Sequence, residues 1–75
     1  MPQDEATLGQ RIRARRRSLF LTQQQLAKSI EVSQSAVAQW ENDVTVPALR
    51  QRAKLAGALA TYPHVLFDDI EAVAS

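Results

Sequence analysis

The stretch LTQQQLAKSIEVSQSAVAQWEN, Leu21 to Asn42, carries five glutamines and one asparagine but only three charged residues. An amide presents a donor and an acceptor side by side, so this composition suits hydrogen-bond recognition better than proton transfer or nucleophilic attack. The rest of the chain points the same way. It has no cysteine and one histidine, His64, which excludes a disulfide framework, a thiolate metal site and a histidine cluster. No catalytic carboxylate pair, Ser/His arrangement or phosphate-cradling glycine loop is visible, so the sequence predicts neither an enzyme nor a cofactor.

Charge is distributed unevenly. The formal net charge is +1, yet Arg11, Arg13, Arg15, Arg16 and Arg17 crowd one segment, and no Lys or Arg follows Lys54. Asp68, Asp69 and Glu71 lie near the other end, an asymmetry that hints at one basic face meeting an anion. The first residues, MPQDEATLG, lack a basic n-region followed by an apolar run, and nothing approaches the roughly 20 apolar residues of a bilayer span. A cytoplasmic protein with no membrane partner is expected. Seventy-five residues leave room for one domain, 1–75, which buries about 60% of its unfolded surface.

The elements that must position the amides read as all-α. Leu8, Ile12 and Leu19 recur at helical spacing, which predicts a first helix from about Ala6 to Ser18 with arginines on its outer face. Thr22 to Gln25 forms a capping box flanked by Leu21 and Leu26, so a second helix starts there and ends near Ile30. Ser33 is an N-cap for a third helix that turns Ala36, Val37 and Trp40 inward and ends around Asn42. Pro47 suits the first turn of a fourth helix with Leu55, Ala56 and Leu59 as its core stripe. Pro63 opens a short fifth turn holding Val65, Leu66 and Phe67; residues 1–5 fray, and DDIEAVAS either extends the last turn or frays. Opposite Val37 and Trp40 on the third helix, Gln34, Ser35, Ala38, Gln39 and Asn42 form one exposed polar stripe.

Two helices of about eight residues joined by a short turn, over about 22–42, match the helix-turn-helix, whose second helix enters the major groove. Gln23, Leu26-Ala27, Ile30, Ser33, Val37, Trp40-Glu41 and Val65-Leu66-Phe67 resemble the lambda-repressor-like (Cro/repressor, XRE-type) family, with particular similarity to small lambdoid phage repressors. The resemblance runs from about Leu8 to Phe67 and implies a compact five-helix domain that binds double-stranded DNA. It further implies a transcriptional repressor that occupies a palindromic operator as a homodimer, in a prokaryotic nucleoid or phage-infected host.

Residue by residue, Gln34, Ser35, Ala38 and Gln39 match base-contacting positions. The two glutamine amides can pair bidentately with adenine, and Ala38 can offer a methyl to thymine. Arg16, Gln23 and Asn42 match phosphate contacts, and Arg16 with Glu41 matches a structural pair. Gln25 reads as a cap, Gln24 as solvated, Trp40 as core, and Arg13, Arg15 and Arg17 as a charged outer face. Two positions depart from the family, where glycine is usual: Glu31, for which the turn predicts φ > 0, and Phe20, which implies extra core contact or an exposed aromatic. The loop Asp43 to Val46 lacks the lysines that relatives place on phosphates. Val65, Phe67, Ile70 and Val73 either form the dimer contact or close the core. The alternative function is an antitoxin or anti-regulator, which would use the same fold to bind a protein partner through the C-terminal segment.

Overall fold

Residues 6–67 are described by the computed structural model, and they form five helices with no strand among them. These are α1 (Leu8–Ser18), α2 (Gln23–Ser29), α3 (Gln34–Glu41), α4 (Leu49–Ala58) and α5 (Pro63–Leu66). The expected fraying at 1–5 and in the tail, and the expected contacts of Ile70 and Val73, lie outside the described residues.

Each of the first three helices starts where a short polar side chain meets free backbone donors. Thr22 and Gln25 form the expected capping box at α2, and Ser33 accepts from Ala36 N at 3.1 Å to start α3. A second capping box, Thr7 with Gln10, was not read from the sequence; it starts α1 at Leu8 rather than at Ala6. Pro47 also differs from expectation. It is a fully buried residue ahead of α4, whose N-cap is Ala48, so its ring fills the core instead of opening the helix. Pro63 does occupy the first turn of α5.

The core gathers one face from every helix: Ile12 from α1, Leu26 and Ala27 from α2, Val37 and Trp40 from α3, Leu55 and Ala56 from α4, and Leu66 from α5. Ile30, Leu59 and Phe67, each just past a helix end, complete it. Leu19, expected among them, is 36% exposed because it caps α1 after the stripe has rotated away. Phe67 is fully buried, so it closes the core and offers nothing to a dimer contact, whereas Val65 is exposed.

Four helices end in the same way. Phe20, Glu31, Asp43 and Ala60 follow the caps of α1, α2, α3 and α4 with φ of 59°, 63°, 60° and 58°. In each case this residue's N–H bonds one carbonyl of the last turn and the next residue's N–H reaches a carbonyl five back, as in Glu31 N to Lys28 O (3.3 Å) and Val32 N to Ala27 O (3.0 Å). Glycine normally takes this left-handed position, and a side chain there costs about 1 kcal/mol or more. No described glycine sits there, so all four turns carry that strain. Phe20 resolves as an exposed aromatic, at 91%.

Gly9 is used instead for close approach. A Cβ on Gly9 would lie 2.5 Å from Glu41 O and 2.6 Å from Trp40 O, so only glycine lets α1 rest against the end of α3. Two outcomes follow. Glu31→Gly and Ala60→Gly should each raise the melting temperature by about 3 °C or more, the release of left-handed strain exceeding the added unfolded-state entropy. Gly9→Ala should lower it by a larger amount. Thermal unfolding by circular dichroism measures all three, and a fall on either glycine substitution would contradict the strain.

Candidate nucleic-acid interface

The site is held by the carboxylate that ends α3. Glu41 is 2% exposed, and its Oε2 accepts from Arg16 Nε at 2.6 Å. Its Oε1 accepts from Arg16 Nη2 at 3.0 Å, Gln23 Nε2 at 3.1 Å and Arg13 Nε at 3.4 Å. One buried group therefore joins α1, α2 and α3. Burial pushes the Glu41 carboxyl up, but the bonds from Arg16, Gln23 and Arg13 outweigh it and leave the pKa below the ordinary value. The bond to Glu41 correspondingly raises the pKa of Arg16 against the effect of burial.

A second clasp sits beside it. Asp43 Oδ2 accepts from Thr7 Oγ1 at 2.6 Å, and Asp43 Oδ1 accepts from Gly9 N at 2.9 Å, tying the start of α1 to the chain leaving α3. These bonds lower the Asp43 pKa. Neither Thr7, Gly9 nor Asp43 was singled out as part of the site from sequence; the Thr7-to-Gln10 spacing was the one legible signal, since it repeats the capping pattern of Thr22 to Gln25.

With its end fixed, α3 turns its other face outward. Gln34, Ser35 and Gln39 are exposed and Ala38 is half-buried, while Val37 and Trp40 face the core. Gln34 and Ser35 make no side-chain hydrogen bond to the described residues, and Gln39 Oε1 has one long contact, 3.5 Å from Thr45 Oγ1. The amides are thus available to an outside partner. Asn42 is exposed and accepts from Arg13 Nη2 at 3.1 Å.

Two residues expected on phosphates are engaged internally. Gln23 is half-buried and donates to Glu41. Arg16 is 9% exposed, and all three guanidinium nitrogens donate inward, Nη1 going to Leu21 O at 2.9 Å. The pair of Arg16 with Glu41 expected from the resemblance is present, and its geometry makes Arg16 a holder of α3. The expected outer face of arginines is also corrected. Arg15 donates to Leu59 O (2.9 Å) and Ala60 O (2.8 Å), and Arg11 donates to Leu66 O (3.2 Å), so α1 places cations on the carbonyl ends of α4 and α5. Arg17 remains exposed.

Comparison with known proteins places this geometry. A family described as helix-turn-helix matches residues 12–66. The chain belongs to the helix-turn-helix family. It is 39% identical over 64 residues to the HTH-type transcriptional regulator DicA of Escherichia coli K12, covering 84% of this chain and 47% of DicA. It is 41% identical over 59 residues to the repressor protein C2 of Salmonella phage P22, covering 79% of this chain and 27% of C2. The chain thus spans about half the length of one relative and about a quarter of the other. The solved P22 c2 repressor in complex with a synthetic operator superposes with a TM-score of 0.79 at 39% identity, over 81% of this chain and 92% of that one. The five-helix lambda-repressor-like fold expected from the sequence is the fold found. Among the described residues, no helix is long and apolar enough to cross a membrane.

The Glu41 node generates a pH dependence. A carboxyl whose folded pKa lies below its unfolded value, near 4.3, stabilises the fold above that value and loses the contribution as pH falls through the folded one. Glu41→Gln should therefore cost about 3 kcal/mol at pH 7 by leaving Arg16 buried without its charge partner. The gap between parent and variant should narrow steadily from pH 5 to pH 3 in urea unfolding. A gap independent of pH would show that the carboxylate charge does not hold these helices.

Proposed function

We propose that the chain is the DNA-binding part of a transcriptional repressor, with α3 lying in the major groove of an operator. The reading rests on one observation above others: the amides of Gln34 and Gln39 stand exposed on a helix whose far end is locked by buried Glu41. A rigid helix with uncommitted bidentate groups is what direct base readout requires. Gln34 and Gln39 pair with adenines, Ser35 bonds a base edge, and Ala38 packs on a thymine methyl. Gln23 and Asn42 flank the stripe and meet the phosphates on either side, while Arg16 acts mainly by holding α3 in place.

A homodimer on a palindrome suits the dimensions. The described residues span 29 × 29 × 23 Å, so one copy fits each half-site when half-sites lie about 34 Å apart. Support also comes from the relatives, whose names are those of a regulator and a repressor, and from the operator bound by the P22 c2 repressor. Such a protein works in the cytoplasm, on a nucleoid or on phage DNA in an infected cell, and needs no cofactor.

Gln39→Ala should weaken binding to a selected operator roughly tenfold or more, leave binding to unrelated duplex nearly unchanged, and flatten preference at one position in each half-site. Fluorescence anisotropy on operator, single-base variants and random duplex measures this. Equal operator binding by Gln34→Ala, Gln39→Ala and the parent would reduce the stripe to a solvated surface.

A further inference from the structure

A groove of about 250 Å³ runs between α1 and α5, away from the α3 stripe, lined by Arg11, Ala14, Arg15, Thr61, Val65 and Leu66. Its floor is apolar, and Val65 leaves 54% of its surface uncovered there. Its rim is cationic, with both guanidinium groups anchored: Arg11 on Leu66 O and Arg15 on Leu59 O and Ala60 O. Anchored charges have already lost most of their rotamer freedom, so an anion pairing with them sacrifices little further entropy.

The chain itself supplies a segment of matching chemistry. Immediately beyond Phe67 come DDIEAVAS, with acids at Asp68, Asp69 and Glu71 and large apolar residues at Ile70 and Val73. No Lys or Arg follows Lys54. The cations beside this end of the described chain are Arg52 of α4, whose guanidinium stands 5.2 Å from the Phe67 ring centroid, and Arg11 and Arg15 of α1, of which only the α1 pair lines the apolar groove. Reach is sufficient. The lining residue Leu66 stands two positions before Asp68, and eight residues span about 12 Å as helix or about 26 Å extended.

We propose that residues 68–75 dock in the α1–α5 groove of their own chain, setting Ile70 against Ala14 and Val65 and the carboxylates beside Arg11 and Arg15. The segment then covers apolar surface that would otherwise face water and offsets the positive rim. Docking does not depend on DNA binding and stands or falls separately.

Because the chain has no cysteine, engineered thiols report the contact without background. The double variant Ala14→Cys with Ile70→Cys should form an intramolecular disulfide on mild oxidation of dilute protein, read by non-reducing electrophoresis and mass. Ser35→Cys with Ile70→Cys should not. Disulfide-linked dimers in the first variant would assign the groove to a second copy, and free thiols would leave it without the tail; either overturns the proposal. As a check that needs no cross-link, Ile70→Asp should lower the melting temperature by about 3 °C or more. An unchanged value would likewise overturn docking.

Discussion

The buried carboxylate of Glu41 is the constraint that ties the end of α3, with its exposed polar stripe, to the rest of the fold. Burying a charge is unfavourable unless partners replace its water, and Glu41 receives four bonds from Arg13, Arg16 and Gln23 on two other helices. Its directional bonds tie the end of α3 to α1 and α2, while Val37 and Trp40 seat the inner face of α3 in the core. Gln34, Ser35 and Gln39 are thereby left on the outward face.

Helix α1 does more than bury Ile12. Its arginines donate at the C-terminal ends of α3, α4 and α5, where unpaired carbonyls and the negative ends of helix dipoles gather. Gly9 lets the helix come close enough to do this, and Asp43 secures its first turn. A small core is thereby supplemented by polar fastenings, which matters in a chain of 75 residues. The four strained left-handed turns work against it.

Local chemistry was legible in the sequence because it depends on residues a few positions apart. The caps at Thr22 and Ser33, the inward Val37 and Trp40, and the stripe Leu55, Ala56 and Leu59 are found where spacing and capping chemistry place them, and φ > 0 at Glu31 is found where the family resemblance implied it. What escaped depends on partners distant along the chain. Arg15 and Leu59 are 44 residues apart, and a run of arginines looks the same whether it faces solvent or the carbonyls of another helix. Pro47 and Leu19 were misplaced for a related reason. Propensity assigns a residue to a turn or a stripe, but the core decides whether its side chain is enclosed. The residue types of the polar stripe were readable; the uncommitted state of its amides required the structure.

The central claim is that α3, oriented through Glu41, reads base edges with Gln34 and Gln39. Selection of binding sites from random duplexes by the purified chain tests it most directly. The account predicts enrichment of inverted half-sites about one helical turn apart, each with adenine at fixed positions. Recovery of unrelated sequences with no shared bases, or no recovery at physiological salt, would contradict it.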